Sequence, residues 1–498
     1  MVKILKVGEK METTELTELK NLNELLTNSE PMISSKEDAP EMDLSTKDKA
    51  LGIVYDGYTA LPKLYHGVFL DPLKNLITTE DYETIMHALN GSEGPWGDWM
   101  ASINQRSTGY QKDATHAFEE TVADFYDGFL SKEERAGIKP PDYETVSPLV
   151  KWGKPADGPF TWPADTGVKL GMKMAVVNMP PAYSKNIALW AALGHETGGH
   201  DVLHADEGLL NEIGNTVASE IMKHENDPAF QEENVTFNGR KISVAEFAAS
   251  YWKSTMDETA SDVCGLLNLG PAAGVGLSVL LIPIRGGKLI PYGPAMDVHP
   301  IDALRLFLAA DVIRGMPDLD VNTANAWGDA LDGIADKYIS NKNGFGLYSK
   351  TQNGDVHWDA IMPYNGMRET VKIVANTIAF KPLNTLEGHS LSEINAWANS
   401  DEELTLRIVD DFVNKRQPSL EPGPGGETVY AAHILSGAVL ALTNSPDVED
   451  ITGLAISALN ELYSGNPVWR GFPVRFRSDA HIHSLVPEYG KSIPDQIS

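Results

Sequence analysis

Three neighbouring residues, His195, Glu196 and His200, can together hold a metal ion and move a proton. A neutral imidazole binds zinc through one ring nitrogen, and a glutamate left beside the ion can act as a base towards water. Their spacing is unusual for a helix. Five residues separate the two histidines, which on a regular helix turns the second ring about 140° from the first, whereas a four-residue step leaves about 40°. Both rings meet one ion only if the turn between them is wound wider. A single extra residue in a helical turn is a π-bulge, a feature found mostly at functional sites, and Gly198-Gly199 is a pair that tolerates it. A competing set is Glu196, His200 and His204, at i, i+4 and i+8 on one face of a regular helix. It gives His195 and the two glycines no part.

The string HETGGH resembles the HExxGH form of the zinc-peptidase motif that marks the dipeptidyl peptidase III family. That family takes its third ligand from a glutamate on a separate downstream helix, in a pattern E-E-x-x-x-E. The stretch Asp257-Glu258-Thr259-Ala260-Ser261-Asp262 is similar to that pattern, with aspartate, a shorter arm, at both outer positions. It also resembles the thermolysin group, where an aspartate follows the ligand glutamate by four residues. The resemblance implies that Glu258 completes a zinc site with His195 and His200, and that Asp262 stands behind the ligands. Physical reasons agree. Residues four apart project from one helix face, and a carboxylate there accepts the spare N–H of a zinc-bound imidazole, fixing its tautomer. Two imidazoles and one carboxylate leave zinc a fourth position for water, whose pKa the ion lowers and whose proton Glu196 can take.

These side chains need two helices held side by side. Ile187, Leu189, Trp190 and Leu193 give the first an apolar lead-in. Ser243-Val244-Ala245-Glu246 reads as a capping box that starts the second, and Pro271 marks where it has ended. Just upstream, Asn238-Gly239 between β-prone runs predicts a hairpin that brings the second helix back against the first. Tyr251 falls two turns before Glu258. A tyrosine in a similar place stabilises the oxyanion in the thermolysin group, while packing is the plainer reading. His299-Pro300-Ile301-Asp302 opens a helix through Ile313, with Gly315 at its end, and holds His299 over the site as a candidate transition-state hydrogen-bond donor. Arg305 reads as a surface arginine. Cys264, in an apolar context, reads as a small buried hydrophobe.

The 498 residues suggest several parts: a mobile acidic arm over 1–50, an N-terminal lobe over 51–185, a metal-binding catalytic helical core over 186–320 and a C-terminal helical lobe over 321–498. The stretches 94–99 and 157–163, aromatic with proline and glycine, read as irregular packed loops. Asp318 to Asn322 begins like a calcium loop but has Thr323 where glycine is required, so no calcium is expected. Seventy acidic against 40 basic residues leave a formal charge of −30, which argues against nucleic acid or an anionic membrane as partner. The longest apolar run, 271–284, is too short to span a bilayer, and the N-terminus lacks the apolar core of a signal peptide; a cytoplasmic location is the default expectation. One cysteine allows no intramolecular disulfide.

The expected architecture is mainly α with minor β, a helical zinc-hydrolase core with a cleft between two lobes. The expected chemistry is peptide hydrolysis with Zn2+ as cofactor and a peptide or protein as substrate. Two other readings remain. Arg475, Arg477, His481 and His483 together suit an oxyanion, as in a helical phosphatase or haloperoxidase. Alternatively the metal is structural and the chain is a binding module.

Overall fold

The computed structural model describes residues 13–88, 94–131, 134–143, 146–231, 234–445 and 447–466. Helices dominate, accompanied by two small sheets, as expected for a mainly α chain with minor β. The segment 475–483, with its arginines and histidines, lies outside the described residues.

The longest apolar run becomes a core helix, Pro271–Ile284, which begins with its proline at the first turn, where a missing N–H costs no hydrogen bond. Gly270 before it sits at φ 56°, and a Cβ there would lie 2.6 Å from the Trp397 ring, so glycine alone fits. This helix packs on the turn Ile187–Ala191, on the helix Asp302–Gly315 and on the helix Leu22–Ile33. Residues 13–33, expected in a mobile arm, are therefore docked. Leu22, Leu25 and Leu26 recur at helical spacing and bury that face.

The second metal helix is interrupted. Val244–Ser254 starts at Ser243, whose hydroxyl accepts the Glu246 N–H, and Met256–Leu269 follows after Thr255 at φ −106°, ψ 19°. The Thr255 hydroxyl donates at 3.3 Å to the Tyr251 carbonyl that also takes the Thr255 N–H at 3.2 Å, a back-bond that bends helices, and the one expected helix is two.

Strands β1 (Leu149–Trp152), β2 (Phe160–Trp162) and β3 (Val176–Met179) form one sheet in the order β1-β3-β2, with β2 antiparallel to β3 at the edge. The stretch 157–163 is thus partly strand. The stretch 94–99 is not a loop either: it opens the helix Pro95–Thr108, again with proline at the first turn, and buries Trp96 and Trp99. The second sheet runs β5-β4-β8-β7-β6, from β4 (Asn234–Phe237), β5 (Arg240–Ser243), β6 (Tyr292–Pro294), β7 (Phe345–Lys350) and β8 (Val356–Met362). The expected hairpin joins β4 to β5, with Asn238 and Gly239 both left-handed at φ 46° and 74°. Ser243 then leads directly into the helix towards Glu258.

Buried apolar side chains form a large cluster around the metal helices and a smaller one, within residues 44–176, around Trp96 and Trp99. Asp320 caps the helix Val321–Tyr338 by accepting the Asn322 and Thr323 N–H groups, which accounts for the calcium-like string. No helix among the described residues is long and apolar enough to cross a membrane.

Candidate metal centre

The chain enters the site through a change of helix type. Asn186 accepts the Ala188 N–H and caps a 3-10 turn over Ile187–Ala191; Ala192–His195 is α, and Glu196–Asp201 is a π turn. The wider turn required by the five-residue spacing is present. It brings the His195 and His200 rings to 4.8 Å between centroids, at 88°. The Met256–Leu269 helix approaches closely because glycines face it. A Cβ on Gly199 would lie 2.4 Å from Ser261 Cβ, and one on Gly265 would lie 3.1 Å from the Gly194 backbone. Gly199 thus admits the partner helix as well as the wide turn.

His195, His200 and Glu258 each offer a ligand atom within 4.8 Å of the others, the one such group of three among the described residues. Glu258 Oε2 lies 3.1 Å from His195 Nε2, and its Oε1 lies 3.6 Å from His200 Nε2. Both imidazoles are held from behind, His195 Nδ1 by Asp262 Oδ1 at 2.8 Å and His200 Nδ1 by Asp257 Oδ1 at 2.9 Å. With Nδ1 donating outward, a neutral ring at either position turns its Nε2 lone pair inward. Glu258 Oε2 is buried without an aligned hydrogen-bond donor, which suits an oxygen aimed at a cation. Two ring nitrogens and one carboxylate are a donor set that fits zinc.

The backing carboxylates are themselves supported. Arg305 donates from Nε and Nη2 to Asp262 at 2.7 and 2.8 Å. It is buried, not the surface residue expected, because its helix is enclosed and Asp262 supplies the countercharge. Asp257, also unassigned by the sequence, reaches His200 despite its short arm because the glycine contacts bring the two helices close.

The charges follow from these contacts. Burial pulls the His195 pKa down, but the hydrogen bond to Asp262 and the facing Glu258 carboxylate outweigh it and raise the value to about 10. Burial likewise opposes ionisation of Glu258, yet the His195 contact lowers its pKa to about 2. Asp262, though buried, is held well below the usual carboxylate range by Arg305 and His195.

Glu196 is buried beside the ligands, and the Thr161 hydroxyl of β2 donates to its Oε2 at 3.1 Å. It shares a pocket of about 260 Å3 with His195, His299 and Arg305. His299 Nε2 lies 3.4 Å from Glu258 Oε2, and its Nδ1 is 2.9 Å from Asp297 Oδ1. The helix beyond begins at Asp302, so His299 stands on the loop that precedes it and not at its first turn. The Tyr251 hydroxyl accepts the Ile301 N–H at 2.9 Å, which braces that loop, and burial raises its pKa. His204 turns both ring nitrogens elsewhere, to Asp165 and Asp257 at 3.2 Å each, so the competing set of Glu196, His200 and His204 is not assembled. Cys264 is buried, and burial raises its thiol pKa, as befits a small hydrophobe.

Thr161, Asp165 and Asp297 carried no sequence signal, since they act from a strand, a 3-10 turn and a loop outside both motifs. Comparison with protein-family models, with curated proteins and with solved structures gives no match to this chain.

Proposed function

We propose that the chain is a zinc-dependent peptide hydrolase, with His195, His200 and Glu258 as ligands and Glu196 as general base. The observation that carries this reading is the pair of imidazoles held by Asp262 and Asp257 with both Nε2 atoms turned to Glu258. Bound zinc supplies Lewis acidity, lowering the pKa of water and polarising a carbonyl. Glu196, oriented by Thr161, takes the proton from water and returns it to the leaving nitrogen. His299, with Asp297 on Nδ1, turns Nε2 to the site and in its protonated form donates to the developing oxyanion.

Three ligands beside a pocket suit catalysis better than a structural ion, which takes four protein ligands and a closed site. A peptide substrate is supported by β2, an edge strand that touches Glu196 through Thr161 and can accept an extended chain. The pocket lies between residues 157–159 of the N-terminal part and the Pro271–Ile284 helix of the metal-binding core. Glu196→Gln tests it. The variant is expected to keep its zinc and lose peptide hydrolysis by roughly 10²- to 10⁴-fold. Hydrolysis that survives the change contradicts the assignment.

A further inference from the structure

Arg285 follows the last turn of the Pro271–Ile284 helix, where exposed carbonyls favour a cation. It lines the pocket that contains His195 and Glu196, and also a neighbouring one of about 370 Å3. Its Nε donates to the buried carboxylate of Asp302 at 3.0 Å, which fixes the plane of the guanidinium. Among the described residues neither terminal nitrogen has a partner, and the side chain is 43% exposed. The other charged donors have roles already: Arg305 holds Asp262 through two bonds, and His299, held at Nδ1 by Asp297, faces Glu258 and the reacting centre with Nε2. Leu266, Leu277, Leu280, Leu281 and Ile284 give an apolar wall, and Asp157 is the remaining charged residue of the lining. At about 260 Å3 the pocket is smaller than the roughly 300–1,000 Å3 of drug-sized clefts, which suits a single residue.

We infer that Arg285 anchors a substrate carboxylate, so that the hydrolase cleaves the last peptide bond and releases a C-terminal amino acid with an apolar side chain. This rests on the peptide-hydrolase reading. Water oxygen joins the carbonyl carbon, the C–N bond breaks, and the departing amine takes the proton. The free fork of the guanidinium meets the carboxylate through two parallel N–H···O bonds, and the leucine wall receives the side chain.

The test uses the zinc-loaded full chain, wild type and Arg285→Ala and Arg285→Lys. Two readouts are taken: turnover of N-benzoylglycyl-leucine against its C-terminal amide, and calorimetric binding of leucine against leucinamide. For the wild type, amidation is expected to raise KM by roughly ten- to hundredfold, with leucine bound more tightly than leucinamide by a similar factor. Arg285→Ala is expected to remove both differences, and Arg285→Lys to restore part of them as a point charge. Equal cleavage of acid and amide, with no preference for leucine, overturns the anchor and leaves the hydrolase reading standing. An Arg285-dependent preference for leucine without hydrolysis of any peptide keeps the carboxylate site and overturns the hydrolase reading. Failure of wild type to bind leucine overturns the anchor.

Discussion

Asp262 answers to two neighbours at once, taking the Nδ1 of His195 and the fork of a buried Arg305. Its removal therefore has two consequences of different kind. Asp262→Ala leaves the Arg305 charge buried and unpaired, a loss of about 3–5 kcal/mol in urea unfolding of the metal-free chain. It also frees the His195 ring, and zinc affinity measured by chelator competition is expected to fall about 10- to 100-fold. Loss of stability with unchanged affinity would mean that the His195 contact does not orient the ring for zinc. Protonation gives a separate test. His195, raised from 6.5 to about 10, stabilises the metal-free fold fully below its ordinary pKa, and that contribution is lost as pH rises through about 10. Glu258, lowered to about 2, contributes above its ordinary pKa and loses this as pH falls towards 2. Zinc needs a neutral imidazole, so binding at pH 7 is expected to release a proton from His195. Calorimetry in two buffers of different ionisation enthalpy reads that release; identical heats in both would contradict it. The ligands and Asp262 were legible because they sit in two short strings. Asp257 and Arg305 were not, because their roles depend on how near the two helices come.

The two metal helices meet at glycines, and the contact is as important as the motif. Gly199→Ala would drive a Cβ to 2.5 Å from Ser261 Cα, a backbone atom that cannot rotate away. The helices must separate, at a cost of about 1–3 kcal/mol, with weaker zinc binding alongside. Gly52, in the helix Lys47–Ala60 with nothing within 4 Å of its Cβ position, is the contrast: Gly52→Ala is expected to stabilise by about 0.5–1 kcal/mol. Thermal unfolding of both variants compares them, and equal effects would contradict the close approach. The wide turn was readable because two histidines five apart cannot share an ion on a regular helix. The break at Thr255 was not, since a hydroxyl bonding back along its own helix leaves no pattern in hydrophobicity.

Across the whole molecule, the apolar helix Pro271–Ile284 ties the centre to the rest: it packs on Leu22–Ile33 and also lines the pocket. Its apolar character was legible in the run 271–284 despite Gly274, Gly276 and Pro283, as was the hairpin from Asn238-Gly239. The docking of residues 13–33 was obscured by the acidic and polar residues around three leucines, although their spacing carried the signal. The strand at 160–162 was hidden because three residues flanked by prolines give no alternation to read. All of these elements serve one claim, that the chain holds one zinc ion on His195, His200 and Glu258. The most direct measurement is metal content by elemental mass spectrometry on the purified wild type and on Glu258→Ala, both prepared in zinc-replete conditions. About one zinc per chain in the wild type, lost in the variant, is the predicted result. A wild type without zinc, or a variant that retains it in full, would contradict the site.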